Sequence, residues 1–150
     1  MFKKVLLLCF LFTFNVMALD IGDKIPSNIV KVLKFKKDKI YVVDFFASWC
    51  HSCKKELPLL VKLQKKIDKS KVEIIGIDVD ENIASGKRFQ KALGLNFRVV
   101  NDSKNSVIGV FNPIGMPSVY LVKNGKIVDA VMGVKPHIDN YLLKKLQELK

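Results

Sequence analysis

FFASWCHSCKKELP, residues 45–58, decides how this 150-residue chain is read. Just upstream, Tyr41 to Ala47 is a nearly continuous β-branched and aromatic run, the pattern of a strand covered on both faces. Downstream, Leu57, Leu60, Leu63 and Ile67 recur at helical spacing, with Lys54, Lys55, Lys62, Lys65, Lys66 and Lys69 on the other side. Pro58 falls inside this pattern, where its missing N–H predicts a kink. Cys50 and Cys53 therefore stand where a buried strand hands over to an amphipathic helix.

That position has chemical consequences. The first turn of a helix has unpaired N–H groups and the positive end of the dipole, and both stabilise a thiolate. A cysteine there commonly ionises below the free value of about 8.5, and the thiolate is the reactive form. His51, when protonated, and Lys54 and Lys55 add positive potential. Cys53, one turn further in, is within reach of Cys50 and expected to be more buried, so Cys50 is expected to attack and Cys53 to resolve. Other uses of the pair fit less well. Structural zinc needs four ligands, and besides the two cysteines only His51 and the distant His137 are on offer. Covalent haem needs a histidine after the second cysteine, a place taken by Lys54. A purely structural disulfide would close a very short loop and gain little entropy. No metal and no cofactor are expected.

Working outward, Val72 to Val79 reads as a second buried strand, residues 83–93 as a helix stopped by Gly94, and Phe97 to Val100 as a short strand. Ser118 to Val122 and Ile127 to Val131 flank Asn124-Gly125, a hairpin signal. A last helix is predicted from about Pro136, with Ile138, Leu142, Leu146 and Leu149 on one face. The order β-α-β-α-β-β-α implies an α/β sheet with helices on its faces. There is no internal repeat, low-complexity tract or second domain.

The first residues set the expected compartment. Lys3 and Lys4 precede an apolar run from Val5 to Phe14, and Val16-Met17-Ala18 offers small or tolerated residues for a signal peptidase. Residues 1–18 are therefore expected to be a secretory signal peptide and 19–150 the working domain. An uncleaved anchor is the alternative, although the run is short against the ~20 apolar residues a span wants. Leu8 stands where a lipoprotein signal needs a small residue, which argues against a lipid on Cys9. Cleavage removes Cys9 and leaves Cys50 and Cys53 alone in an oxidising space, where thiols stay reduced only with a dedicated electron supply. The net charge of +12 is scattered rather than blocked. An exported chain without a basic-aromatic module is not expected to bind nucleic acid.

With these residues in view, Val43-Asp44-Phe45-Phe46-Ala47-Ser48-Trp49-Cys50-His51-Ser52-Cys53 and Pro58 resemble the thioredoxin superfamily. Gly22-Asp23-Lys24-Ile25-Pro26, Cys53-Lys54-Lys55-Glu56-Leu57-Pro58 and Phe97-Arg98-Val99-Val100-Asn101-Asp102 are similar to its TlpA/ResA-like branch of exported thiol-disulfide oxidoreductases. The resemblance implies a thioredoxin fold: a central mixed sheet flanked by helices, with an N-terminal extension. It also implies that Gly115-Met116-Pro117-Ser118 presents a cis-proline beside the cysteines, with Trp49, Met116 and Pro117 meeting the client. Asp44 matches the family's buried acid beneath the resolving cysteine, and Glu56 its active-site glutamate, both tuning thiol ionisation or moving protons. An aspartate in mid-strand is costly unless paired or protonated, so a solvated strand end is the alternative for Asp44. For Glu56 the alternative is a surface charge among lysines.

The implied activity is reduction of client disulfides through Cys50 and Cys53, in the periplasm. The branch includes members that serve cytochrome c maturation, so the resemblance implies apocytochrome c among the clients and a membrane thiol-transfer protein as electron donor. Ser52 stands where many members have proline, and Arg98 replaces another frequent proline. Residues between the cysteines influence potential, so oxidation, isomerisation, or a noncatalytic chaperone role with a structural disulfide stay open. A monomer is expected.

Overall fold

The computed structural model describes residues 17–149. The expected leader, with Cys9, lies outside the described residues apart from Met17 and Ala18. The described elements are α1 (Ser27–Val32), β1 (Ile40–Phe46), α2 (His51–Gln64), β2 (Val72–Asp78), α3 (Ile83–Ala92), β3 (Arg98–Asn101), α4 (Ile108–Phe111), β4 (Ser118–Lys123), β5 (Lys126–Met132) and α5 (Ile138–Glu148). One sheet runs β3-β2-β1-β4-β5, parallel across β3, β2 and β1 and antiparallel across β1, β4 and β5.

β1 is buried at every position, and successive side chains feed different layers. Tyr41 and Phe45 point to one side, where their rings lie 4.4 Å from Phe35 and 5.0 Å from Phe111 of α4. Phe46 points to the other side, 6.2 Å from Phe89 of α3. The crossovers from β1 to β2 and from β2 to β3 step in the same direction, so right-handed connections put α2 and α3 on one face. Asn96, just after α3, accordingly donates to the Val61 carbonyl of α2 at 3.3 Å, and α5 packs on α2. The parallel half explains the unbroken apolar runs: strands covered on both faces have no solvent side to mark with polar residues.

Most predicted elements are present, with shifted ends. The last helix begins at Ile138 rather than Pro136, because His137 adopts a left-handed conformation, φ 52° and ψ 41°. α2 continues through Pro58 to Gln64. Asn124 and Gly125 both have positive φ, 52° and 71°, as a tight hairpin turn requires. The short α1 and α4 were not anticipated. Among the described residues, no helix is long and apolar enough to cross a membrane.

Register fixes where chemistry gathers. Phe46 at the end of β1 pairs with Asp78 at the end of β2, and Phe45 pairs with Ser118 at the start of β4. The turn into α2, the turn after β2 and the loop before β4 therefore emerge together at one end of the sheet.

Candidate active site

The chain leaving β1 makes a tight turn, with Cys50 N–H donating to the Ala47 carbonyl at 3.1 Å, and α2 starts at once. Cys50 is the N-cap, φ −84° and ψ 100°, and its Sγ accepts the Cys53 N–H at 3.2 Å. A sulfur thus takes the capping place that a Ser or Asp oxygen usually fills. The two sulfurs are bonded to each other at 2.07 Å, with Cα atoms 5.3 Å apart. Cys50 remains 8 % exposed and Cys53 is 0 % exposed, so an incoming sulfur can reach only the first.

The surroundings are asymmetric. On the solvent side Trp49 is 69 % exposed beside a groove of about 680 Å³. Glu81, Ile108, Pro113 and Met116 line the groove with it, and the fully projecting Ile114 sits in the same loop as Pro113. The Met116–Pro117 bond is cis. Pro117 is buried and its carbonyl accepts Gly133 N–H at 2.8 Å, tying the loop to the end of β5. His51 is exposed, as are Lys54 and Lys55.

Two buried acids neighbour each other on β1 and α2, the Glu56 charge acting on Asp44. Asp44 is 1 % exposed in the middle of β1, which overturns the alternative of a solvated strand end. Its Oδ1 has no hydrogen-bond partner among the described residues, and burial, then the neighbouring Glu56 charge, pushes its carboxyl well above the usual range. Glu56, 4 % exposed, follows Cys53 by three residues on the same buried face of α2, which overturns the surface alternative. Neither of its oxygens has a partner among the described residues, and burial pushes it up to about 7.

The sequence reading missed a third acidic feature. Asp78 and Asp80, 1 % and 5 % exposed, stand at the end of β2 and just beyond it. Asp80 accepts both the backbone N–H and the hydroxyl of Ser48, at 2.8 and 2.7 Å. The available signal was Asp78-Val79-Asp80 itself, acids two apart at the end of a strand read as buried.

The AhpC/TSA family profile matches residues 14–131. The chain is similar to the thiol-disulfide oxidoreductase ResA of Bacillus thuringiensis, 32% identical over 136 residues that span 84% of this chain and 79% of the relative. In shape it resembles a Chlorobium tepidum protein assigned as the thiol:disulfide interchange protein DsbE, with TM-score 0.76, 23% identity, and coverage of 87% of this chain and 98% of that one. StoA of Bacillus subtilis overlays with TM-score 0.64 at 25% identity, over 71% of this chain and 84% of its own. The mixed sheet and its helices are a thioredoxin fold.

Proposed function

This chain belongs to the AhpC/TSA family and is a thiol-disulfide oxidoreductase, and on that premise we propose that it works as a protein-disulfide reductase through Cys50 and Cys53. One observation carries the reading: a closed sulfur pair whose less buried member caps a helix, in a fold that also buries two acids without hydrogen-bond partners on the oxygens named above.

In the cycle, the Cys50 thiolate attacks one sulfur of a client disulfide, and the other client sulfur leaves as a thiolate and takes a proton. Cys53, deprotonated by Glu56 or Asp44, attacks the Cys50 sulfur of the mixed disulfide. The client departs as a dithiol with two electrons, and the Cys50–Cys53 bond closes. Direction follows from electrostatics. Strong oxidants stabilise their reduced thiolate. Here the helix terminus favours the Cys50 thiolate, but ionised Glu56 on the same helix disfavours it, which weakens the stabilisation of the reduced form and makes the dithiol an electron donor. Trp49, Met116 and Pro117 supply the wall along which an extended client segment lies. The closed state is refilled by a membrane thiol-transfer protein. We place the 19–150 domain in the periplasm, as a monomer, delivered by residues 1–18, with apocytochrome c among the clients.

Insulin reduction tests the chemistry. Cys50→Ser lowers turnover roughly a thousandfold or more, as loss of a nucleophile does. Cys53→Ala retains attack but not release, so mixed disulfides accumulate on nonreducing gels. Unchanged insulin reduction by Cys50→Ser would leave the protein a noncatalytic module. For the client, a strain whose chromosomal copy carries Cys50→Ser loses haem-stained c-type cytochromes; full staining removes apocytochrome c from the account.

A further inference from the structure

Ser48 lies between the end of β1 and Cys50, and both of its polar donors are taken by one carboxylate. Asp80 Oδ2 accepts Ser48 N–H at 2.8 Å and Oδ1 accepts Ser48 Oγ–H at 2.7 Å. Asp80 is itself anchored, since its N–H donates to Asp78 Oδ1 at 2.9 Å. The other Asp78 oxygen accepts the Gln90 amide of α3 at 2.6 Å, and that amide also reaches Asn101 Oδ1 of β3 at 3.1 Å. Backbone bonds frame the chain of contacts: Val79 N–H donates to the Phe46 carbonyl at 3.0 Å, and Asp102 N–H to the Asp78 carbonyl at 2.7 Å. A path of hydrogen bonds thus runs from α3 and β3 through two buried carboxylates to the residue two before Cys50.

Burying carboxylates is expensive unless each is hydrogen-bonded. In Asp80 the bonding capacity is directed at one short turn. That turn decides where the sulfur sits, because Cys50 N–H closes it on Ala47 and the Cys50 backbone aims Sγ at the Cys53 N–H. Hydrogen bonds to a thiolate weaken steeply as angle and distance drift, so a slack turn would leave the sulfur less stabilised as an anion.

We propose that Asp80 is a positioning residue: through Ser48 it holds the Cys50 sulfur at the N-terminus of α2 and so sets its reactivity. The claim rests on Cys50 being the attacking sulfur. Its charge alone would act in the opposite sense, since a nearby carboxylate disfavours a thiolate. Position and charge are therefore separable.

Alkylation of the reduced protein by iodoacetamide, followed against pH and mapped by peptide mass, tests it. Ser48→Ala raises the Cys50 pKa and slows its alkylation at pH 7 about threefold to tenfold, the scale of one ordinary hydrogen bond. Asp80→Ala slows it further. Asp80→Asn recovers most of that loss, because its amide can still accept Ser48 N–H and donate to Ser48 Oγ. Thermal melting of every variant accompanies the rates. Lower melting temperatures with an unchanged Cys50 ionisation and rate would overturn the proposal and leave Asp80 a structural residue. Alkylation of the wild type mapped to Cys53 instead would overturn the nucleophile assignment on which the proposal stands.

Discussion

Glu56 has an ordinary carboxyl near 4.5 when unfolded and is pushed up to about 7 by burial in the fold. The native state therefore holds a proton that the unfolded chain releases between those values. Stability is unaffected by this group below about pH 4.5, falls as pH rises towards 7, and stays reduced above it. The cost at pH 8 is on the order of 3 kcal/mol. Glu56→Gln is thus expected to unfold at higher urea than wild type at pH 8, with the gap closing by pH 4; a pH-independent gap would contradict this. The same ionisation should appear near 7 in the pH profile of thiol exchange and vanish in Glu56→Gln. Asp44 was visible in the sequence because an acid in an apolar strand is conspicuous, whereas Glu56 was singled out by the family resemblance. Asp80 was not, because an acid just past a strand resembles any loop residue until its partner Ser48 is placed beside it.

At the scale of elements, the hairpin and α2 could be read because Asn124-Gly125 and the leucine spacing each have a local physical cause. The helices α1 and α4 could not. With six and four residues they are too short for periodicity to register, and no side chain caps either N-terminus. The cis bond at Pro117 came from the family resemblance, since spacing has no bearing on isomer. One glycine in α3 carries a prediction. A Cβ on Gly86 would stand 2.2 Å from Asp78 Oδ2, so the helix approaches β2 only because that atom is absent. Alanine is the better helix former by about 1 kcal/mol. Even so, Gly86→Ala is expected to destabilise by about 1–3 kcal/mol in urea melts, as overpacking does, while displacing the Asp78 carboxylate from Gln90. A stabilised variant would show that α3 has room to move.

For the whole molecule, an α/β sheet with helices on its faces was legible from the order of strands and helices, and the thioredoxin fold followed from the family resemblance carried by residues 43–53 and Pro58. Which layer each side chain enters was not, because the buried strands carry apolar residues on both faces and alternation gives no mark. The direction of electron flow belongs to this scale too, since potential measures how the fold as a whole ranks its oxidised and reduced forms. A reductant is more stable with its disulfide closed, so the oxidised protein should melt above the reduced one; a strong oxidant shows the reverse order. The most direct test is the equilibrium reduction potential of Cys50–Cys53, titrated against a thiol-disulfide buffer. The account predicts a value near that of a thioredoxin-like reductant, about −270 mV, whereas one near about −120 mV would make the protein a disulfide donor.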